Sequence, residues 1–326
     1  MKLVTYNEIE EAYDRIKDYA NKTPVMSSRT LNEQLNCEVF FKCENLQRVG
    51  AFKFRGAFNA ISQLPKEQLQ NGIICHSSGN HAQAVALSGK LLGIKAVIVM
   101  PKNSPQVKVN ATRDTYEGEV VFCENNVQAR HETTQKLIDE HGYTMIHPFD
   151  NHNIICGAGT ACYELLQEYP DLDTIVGPVG GGGLISGTST AAKGYSSKIK
   201  VYAIEPERAN DAYRSFQSGE IKTNTNPDTI ADGLLTNLSE RTFAHIQKHV
   251  DEIITVSEPQ ILRAMKHLWE RMKLVVEPSG AVPLAGIQSG KFPIKGKKIG
   301  VIISGGNLDL TPMFDAVENM IVPEAK

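Results

Sequence analysis

The stretch "GIICHSSGNHAQAVALSGKLLGIKAVIVMP", Gly72 to Pro101, runs from one apolar segment through an amphipathic one into a second apolar segment. Both outer segments are apolar at consecutive positions, the pattern of strands covered on both faces of a parallel sheet. The middle part repeats its apolar residues with helical period and ends in a glycine, so the spacing predicts a helix that starts directly after the first strand. Strand, helix and strand within about thirty residues make a right-handed crossover unit. The fold class that follows is α/β.

The same alternation continues on either side. Strands are expected at 38–43, 72–78, 95–101, 119–123, 143–148, 173–180, 200–206, 252–256 and 298–306. Helices are expected over "SPQVKVNATRDTY", "ARHETTQKLIDEHG" and "LISGTSTAAKG". Residues 50–145 would form a smaller unit of about four strands. Residues 1–49 and 146–326 would form a larger one. No internal repeat or low-complexity linker marks the boundary.

Composition narrows the function. The chain has 326 residues, 41% hydrophobic and 22% charged, with a formal net charge of −3. That balance supports a sizeable core and argues against nucleic acid or an anionic membrane as partner. No apolar h-region follows the start, and the longest apolar run is far too short to span a bilayer. The six cysteines are scattered without a C-x-x-C pair and read as small buried hydrophobes in a reducing compartment, the cytosol.

Several strand ends carry polar clusters. In "GPVGGGGLISG", Gly180 to Gly183 stand between an apolar strand and a helix, where bare backbone N–H groups and the helix N-terminus can receive an anion. There is no G-x-x-x-x-G-K-[ST] and no clean G-x-G-x-x-G followed by an acidic residue, so a phosphate without a nucleotide signature remains. A phosphorylated cofactor fits; a flexible loop is the alternative. In "HSSGNHAQA", Ser77, Ser78, Asn80 and His81 offer either an ordinary helix cap or a seat for a carboxylate. "VIISGGN" ends the last strand with Ser304 and Asn307, and "EPERAND" holds Glu205 and Asp211 as hard-cation ligands or a solvated loop. In "VGAFKFRGAFNAI", Lys53 lies among Phe52, Phe54 and Phe58 and is either a snorkelling lysine or a deliberately desolvated one.

A lysine in "GAFKFRGA", then "SSGNH", then "GGGGLISG", then "SGGN" resembles the serine racemase and serine/threonine dehydratase (ammonia-lyase) family of fold-type II pyridoxal-phosphate enzymes. The similarity runs from about "RIKDYANKTPV" to "SGGNLDL". It implies a tryptophan synthase β-like fold: two open, twisted, mostly parallel sheets with flanking helices, and an active site in the cleft between a large domain and a small mobile one. By the resemblance Lys53 forms the Schiff base, Phe52 packs on the cofactor ring, Gly180 to Gly183 and Leu184 cradle the phosphate, Asn80 bonds the 3-hydroxyl and Ser304 the pyridine nitrogen. Ser77, Ser78 and His81 would hold the substrate carboxylate, with Ser78 as the acid/base opposite Lys53. Arg130 and Asp232 would line the substrate site, with Gly233 and Glu277 beside it.

The resemblance further implies a divalent cation, Mg2+, Ca2+ or Mn2+, on Glu205, the Ala209 carbonyl and Asp211. It also implies an ATP effector site at Ser27, Ser28, Gln83, Lys273 and Asn307, from whose mammalian form Arg29, Arg48 and Val49 depart. A homodimer is the family habit. The expected activity is dehydration of L-serine, L-threonine or a related 3-hydroxy amino acid to a 2-oxo acid and ammonia. Serine racemase or threo-3-hydroxyaspartate ammonia-lyase activity is the alternative within the class, and a non-catalytic pyridoxal-phosphate- or nucleotide-binding regulator the alternative outside it. Phe149, where vertebrate racemases carry asparagine, gives the Pro-Phe-Asp form of the dehydratases.

Overall fold

The computed structural model describes residues 2–77, 79–104 and 106–309. The strands among them are β1 (Val25–Met26), β2 (Glu38–Cys43), β3 (Ile73–His76), β4 (Ala96–Pro101), β5 (Glu119–Cys123), β6 (Thr144–Met145), β7 (Thr174–Pro178), β8 (Lys200–Pro206), β9 (Glu252–Val256) and β10 (Lys298–Ile303). They form a six-stranded sheet in the order β1-β2-β10-β7-β8-β9 and a four-stranded sheet in the order β5-β4-β3-β6. Every pairing is parallel except that of β1 with β2.

Period-two alternation splits each sheet between two cores. In the large sheet Phe41, Val176, Ile204, Ile254 and Val301 point into a core shared with helices Glu258–Met272 and Pro278–Gln288. Their neighbours Ile175, Val201, Ala203, Ile253 and Ile302 point to the other face, against helices Tyr6–Ile16, His152–Glu168 and Gly183–Tyr195. The small sheet repeats the device. Ile73, Cys75, Ile98 and Met100 pack with helices Lys53–Ile61 and Asn80–Leu92, while Ile74, Val97 and Val99 face helix Val127–His141.

The crossover around Gly72–Pro101 forms as expected, and its helix ends where Gly93 takes a φ of 67° that a side chain would resist. Three expectations need correction. The strand expected at 143–148 pairs over Thr144–Met145 alone. The antiparallel β1 was not foreseen, being two residues long. The helix expected over 104–116 is α-helical for Gln106–Asn110 and then widens to a π-turn at Ala111–Thr115, with Tyr116 N donating to Ala111 O at 3.0 Å. Thr112 Oγ1 donates to the Lys108 carbonyl at 2.9 Å, a side-chain bond that competes with the regular ladder there. No helix among the described residues is long and apolar enough to cross a membrane. The six cysteines are free and buried.

Candidate active site

Parallel strands bring their carboxyl ends to one side of a sheet, which is where ligands of open α/β folds lie. Three of the polar clusters named above follow β3, β7 and β10, and the chain before Lys53 is stitched to the last of these. Phe52 N donates to Ser304 O at 3.0 Å, and Ala51 bridges Gly305. Helix Lys53–Ile61 therefore starts at the mouth of the large sheet.

Lys53 Nζ donates to the Pro148 carbonyl at 2.8 Å and lies 5.1 Å from the centroid of the Phe52 ring. Burial pulls its pKa down to about 8, partly offset by the Glu277 carboxylate. Phe54 and Phe58 instead belong to the core of the small sheet.

The glycine loop turns through Gly182, at a φ of 86°, into helix Gly183–Tyr195, which has no side-chain cap. Its first N–H groups therefore have no partner within the helix. A Cβ at Gly181 would stand 2.5 Å from the Phe149 ring, so only glycine lets Phe149 close over this loop.

Asn80 Nδ2 donates to Glu277 Oε1 and Oε2 at 2.9 and 3.1 Å, and its Oδ1 accepts from Asn307 Nδ2 at 2.9 Å. The backbone N–H of Asn307 donates to Glu277 Oε2 at 3.1 Å. Glu277 is 3% exposed, and burial first, then the Asp232 carboxylate, push its pKa up to about 7. Ser304 Oγ is buried without a hydrogen-bond partner. Ser77 Oγ accepts from Gly79 N at 3.2 Å. His81 Nε2 pairs with the Ile146 carbonyl at 2.9 Å, which places the ring proton on Nε2 and leaves buried Nδ1 without a partner. Burial, then Lys53, depress the His81 pKa to about 3, so the ring stays neutral.

Other expected residues are placed as follows. Ser78 lies outside the described residues. Arg130 stands in the first turn of helix Val127–His141 with its Nε buried and unpartnered. Asp232 pairs with Lys108. Glu205 accepts from Ala212 N and Tyr213 N at 3.0 and 2.8 Å, and Asp211 accepts from Leu238 N at 3.0 Å and Asn224 Nδ2 at 2.8 Å. Burial raises the pKa of both carboxyls, that of Asp211 to about 6. Among the described residues no cluster of three His, Cys, Asp or Glu side chains suited to a metal is present. Of the positions assigned to ATP, Ser28 caps helix Arg29–Leu35, Ser27 accepts from Asn32, Gln83 is buried, and Lys273 donates to the Glu270 carbonyl. Asn307 reaches Asn80 directly.

One cluster was missed. Arg55, fully buried, donates to Glu44 at 2.7 and 2.9 Å and to Glu164 at 2.8 and 2.8 Å, and Lys42 pairs with Glu164 at 2.6 Å. The signal was present as charged residues inside otherwise apolar runs, "FFKCEN" and "ACYELL".

The orphaned Ser304 hydroxyl, the uncapped glycine turn and the desolvated Lys53 fit the group that the resemblance calls for: a ring nitrogen, a phosphate and an aldehyde. Comparisons with known proteins agree. The chain is 48% identical over 315 residues to the serine racemase of Dictyostelium discoideum, covering 95% of this chain and 97% of that one. It is 47% identical over 311 residues to the L-threo-3-hydroxyaspartate ammonia-lyase of Saccharomyces cerevisiae, covering 95% of each. The solved maize serine racemase superposes with a TM-score of 0.93 at 40% identity, covering 98% of both chains. The fold is thus the tryptophan synthase β-like fold of type II pyridoxal-phosphate enzymes. Residues 16–305 match the model of the pyridoxal-phosphate dependent enzymes, and the chain belongs to that family.

Proposed function

We propose that this chain is an ammonia-lyase that removes water from L-serine, L-threonine or 3-hydroxyaspartate, giving a 2-oxo acid and ammonia, with serine racemisation as a second outcome at the same site. The observation that carries this reading is Lys53, an amine held by burial near pKa 8 between a carbonyl and an aromatic ring. Such an amine can take or return a proton at neutral pH.

In this reading the N–H groups of Gly180 to Gly183 and Leu184 hold the cofactor phosphate, Asn80 its 3-hydroxyl and Ser304 its ring nitrogen. Phe52 packs on the ring. Bound there, pyridoxal phosphate supplies an electron sink for the charge that develops at the substrate Cα. Ser77, Ser78 and neutral His81 orient the substrate carboxylate, and Arg130 adds a cation. Lys53 removes the Cα proton, and the 3-hydroxyl, once protonated, leaves as water. The enamine released hydrolyses to the oxo acid and ammonia. Racemisation needs a proton returned on the opposite face, the role assigned to Ser78. The Pro-Phe-Asp form, with Phe149 closing over Gly181, supports the lyase branch by its resemblance to the dehydratases.

The same reading takes 50–145 as a small domain and 1–49 with 146–326 as the large one, supported by the separate four-stranded sheet. It also takes Glu205, Ala209 and Asp211 as a divalent-cation site, supported by two buried carboxyls that no cation side chain among the described residues bonds directly. A cytoplasmic homodimer, with a nucleotide effector acting through Asn307 on Asn80, completes it. Purified protein incubated with L-serine, L-threonine and threo-3-hydroxyaspartate, with oxo acid and D-amino acid both measured, tests the activity. Comparable pyruvate and D-serine would move the assignment to a racemase, and turnover surviving in Lys53→Ala would sink it.

A further inference from the structure

Lys108 has no part in the reading so far. It lies in the short helix Gln106–Asn110 of the four-stranded unit, its carbonyl held by Thr112. Its side chain is 10% exposed, and Nζ donates to Asp232 Oδ2 at 2.7 Å; the Asp232 side chain is 55% exposed. Nζ also lies against the Gly79 backbone, 3.7 Å from where a Cβ would stand.

Asp232 opens the turn Asp232–Leu234 of the other unit. That turn is anchored by Gly233 N donating to Ser279 Oγ at 3.0 Å, and the Leu234 backbone presses on Gly180, 2.8 Å from its Cβ position. One ion pair therefore joins Gly79, just before helix Asn80–Leu92, to the glycine loop after β7. The two segments belong to different sheets that share no strand pairing. Their separation is set by such side-chain contacts, and a largely desolvated ammonium with a carboxylate partner weighs more there than a surface pair.

We propose that Lys108 and Asp232 form a latch that sets how closely the four-stranded unit closes over the glycine loop, making Lys108 a positioning residue for the substrate carboxylate. The proposal rests on the reading of this cleft given above. It is tested on the cofactor-loaded protein as Lys108→Met, Asp232→Asn, the double variant and Lys108→Arg, by hydrogen exchange and by steady-state kinetics.

Each of the two single neutral variants is expected to speed amide exchange across Gly79–Gln83 and to raise substrate KM about 10-fold with a smaller change in kcat, and the double variant to match the singles, as coupled partners do. Lys108→Arg keeps the charge and should restore slow exchange. Wild-type KM should rise with salt and that of Lys108→Met should not, because the Asp232 carboxylate of the pair is half exposed and open to screening. Exchange unchanged in Asp232→Asn, a half-exposed position, overturns the latch whatever the turnover, as do effects that simply add. Faster exchange in the variants, together with a wild type that turns over none of the three amino acids, would instead overturn the functional reading and leave the latch standing.

Discussion

The amine of Lys53 reaches across 95 residues of chain to donate to the carbonyl of Pro148 at 2.8 Å. The residue after that carbonyl is Phe149, whose ring lies on Gly181. Lys53 and the glycine loop are thus gauged against one short segment, "HPFD".

Lys53 should react at unusually low pH. Burial lowers its pKa from 10.5 to about 8, so the neutral amine that bonds an aldehyde becomes the major form as pH passes 8. The rate at which apoprotein takes up pyridoxal phosphate, followed by absorbance, should climb through pH 8 and level off above it. A midpoint near the ordinary lysine value would contradict the desolvated site.

Glu277 should make the apoprotein less stable as pH rises. Its folded pKa of about 7 lies above the ordinary 4.5, so between these values the folded state holds a proton that the unfolded chain gives up. The cost grows from pH 4.5 and is fully present above 7, on the order of 3 kcal/mol. Thermal melts of Glu277→Gln should lack this component of the pH slope; parallel slopes in the two proteins would rule it out.

Arg55 should be intolerant of neutral replacement. Arg55→Met leaves Glu44 and half of Glu164 without their guanidinium, all at full burial. Removing one partner of such a network costs about 3–5 kcal/mol. Urea unfolding followed by circular dichroism should show a midpoint shift of that size, and a loss under 1 kcal/mol, typical of exposed pairs, would show the network to be dispensable.

A divalent cation should stabilise the folded chain through Asp211. Mg2+ or Ca2+ at about 100 times its dissociation constant adds about 2.7 kcal/mol to a protein that binds it only when folded. The melting temperature should rise with the cation, fall again with chelator, and ignore both in Asp211→Asn. An equal rise in the variant would place the cation elsewhere.

Much of the fold was legible in the chain. β4 and β7 are buried at every position, β4 with apolar residues throughout and β7 with apolar residues after Thr174, because a strand covered on both faces has no side for water. The glycine loop, "SSGNH" and "SGGN" were legible because each sits at a strand-to-turn boundary, where composition changes within a few residues. The ion network was not. Lys42, Glu44, Arg55 and Glu164 come from four separate elements, and nothing local tells a buried charge from a solvated one until its partner is in place.

The sequence by itself determined the α/β class, the crossovers and the polar loops that end the strands, since all of these follow from period and from residue chemistry at short range. Tertiary structure decided what each polar group faces: Asn80 held by Glu277 and Asn307, Ser304 left free in the core, Lys108 paired across the cleft with Asp232. The reason is that desolvation and hydrogen-bond partnership depend on distance in space, and a pKa or an orphaned hydroxyl arises only when segments up to 258 residues apart, as Val49 and Asn307 are, come into contact.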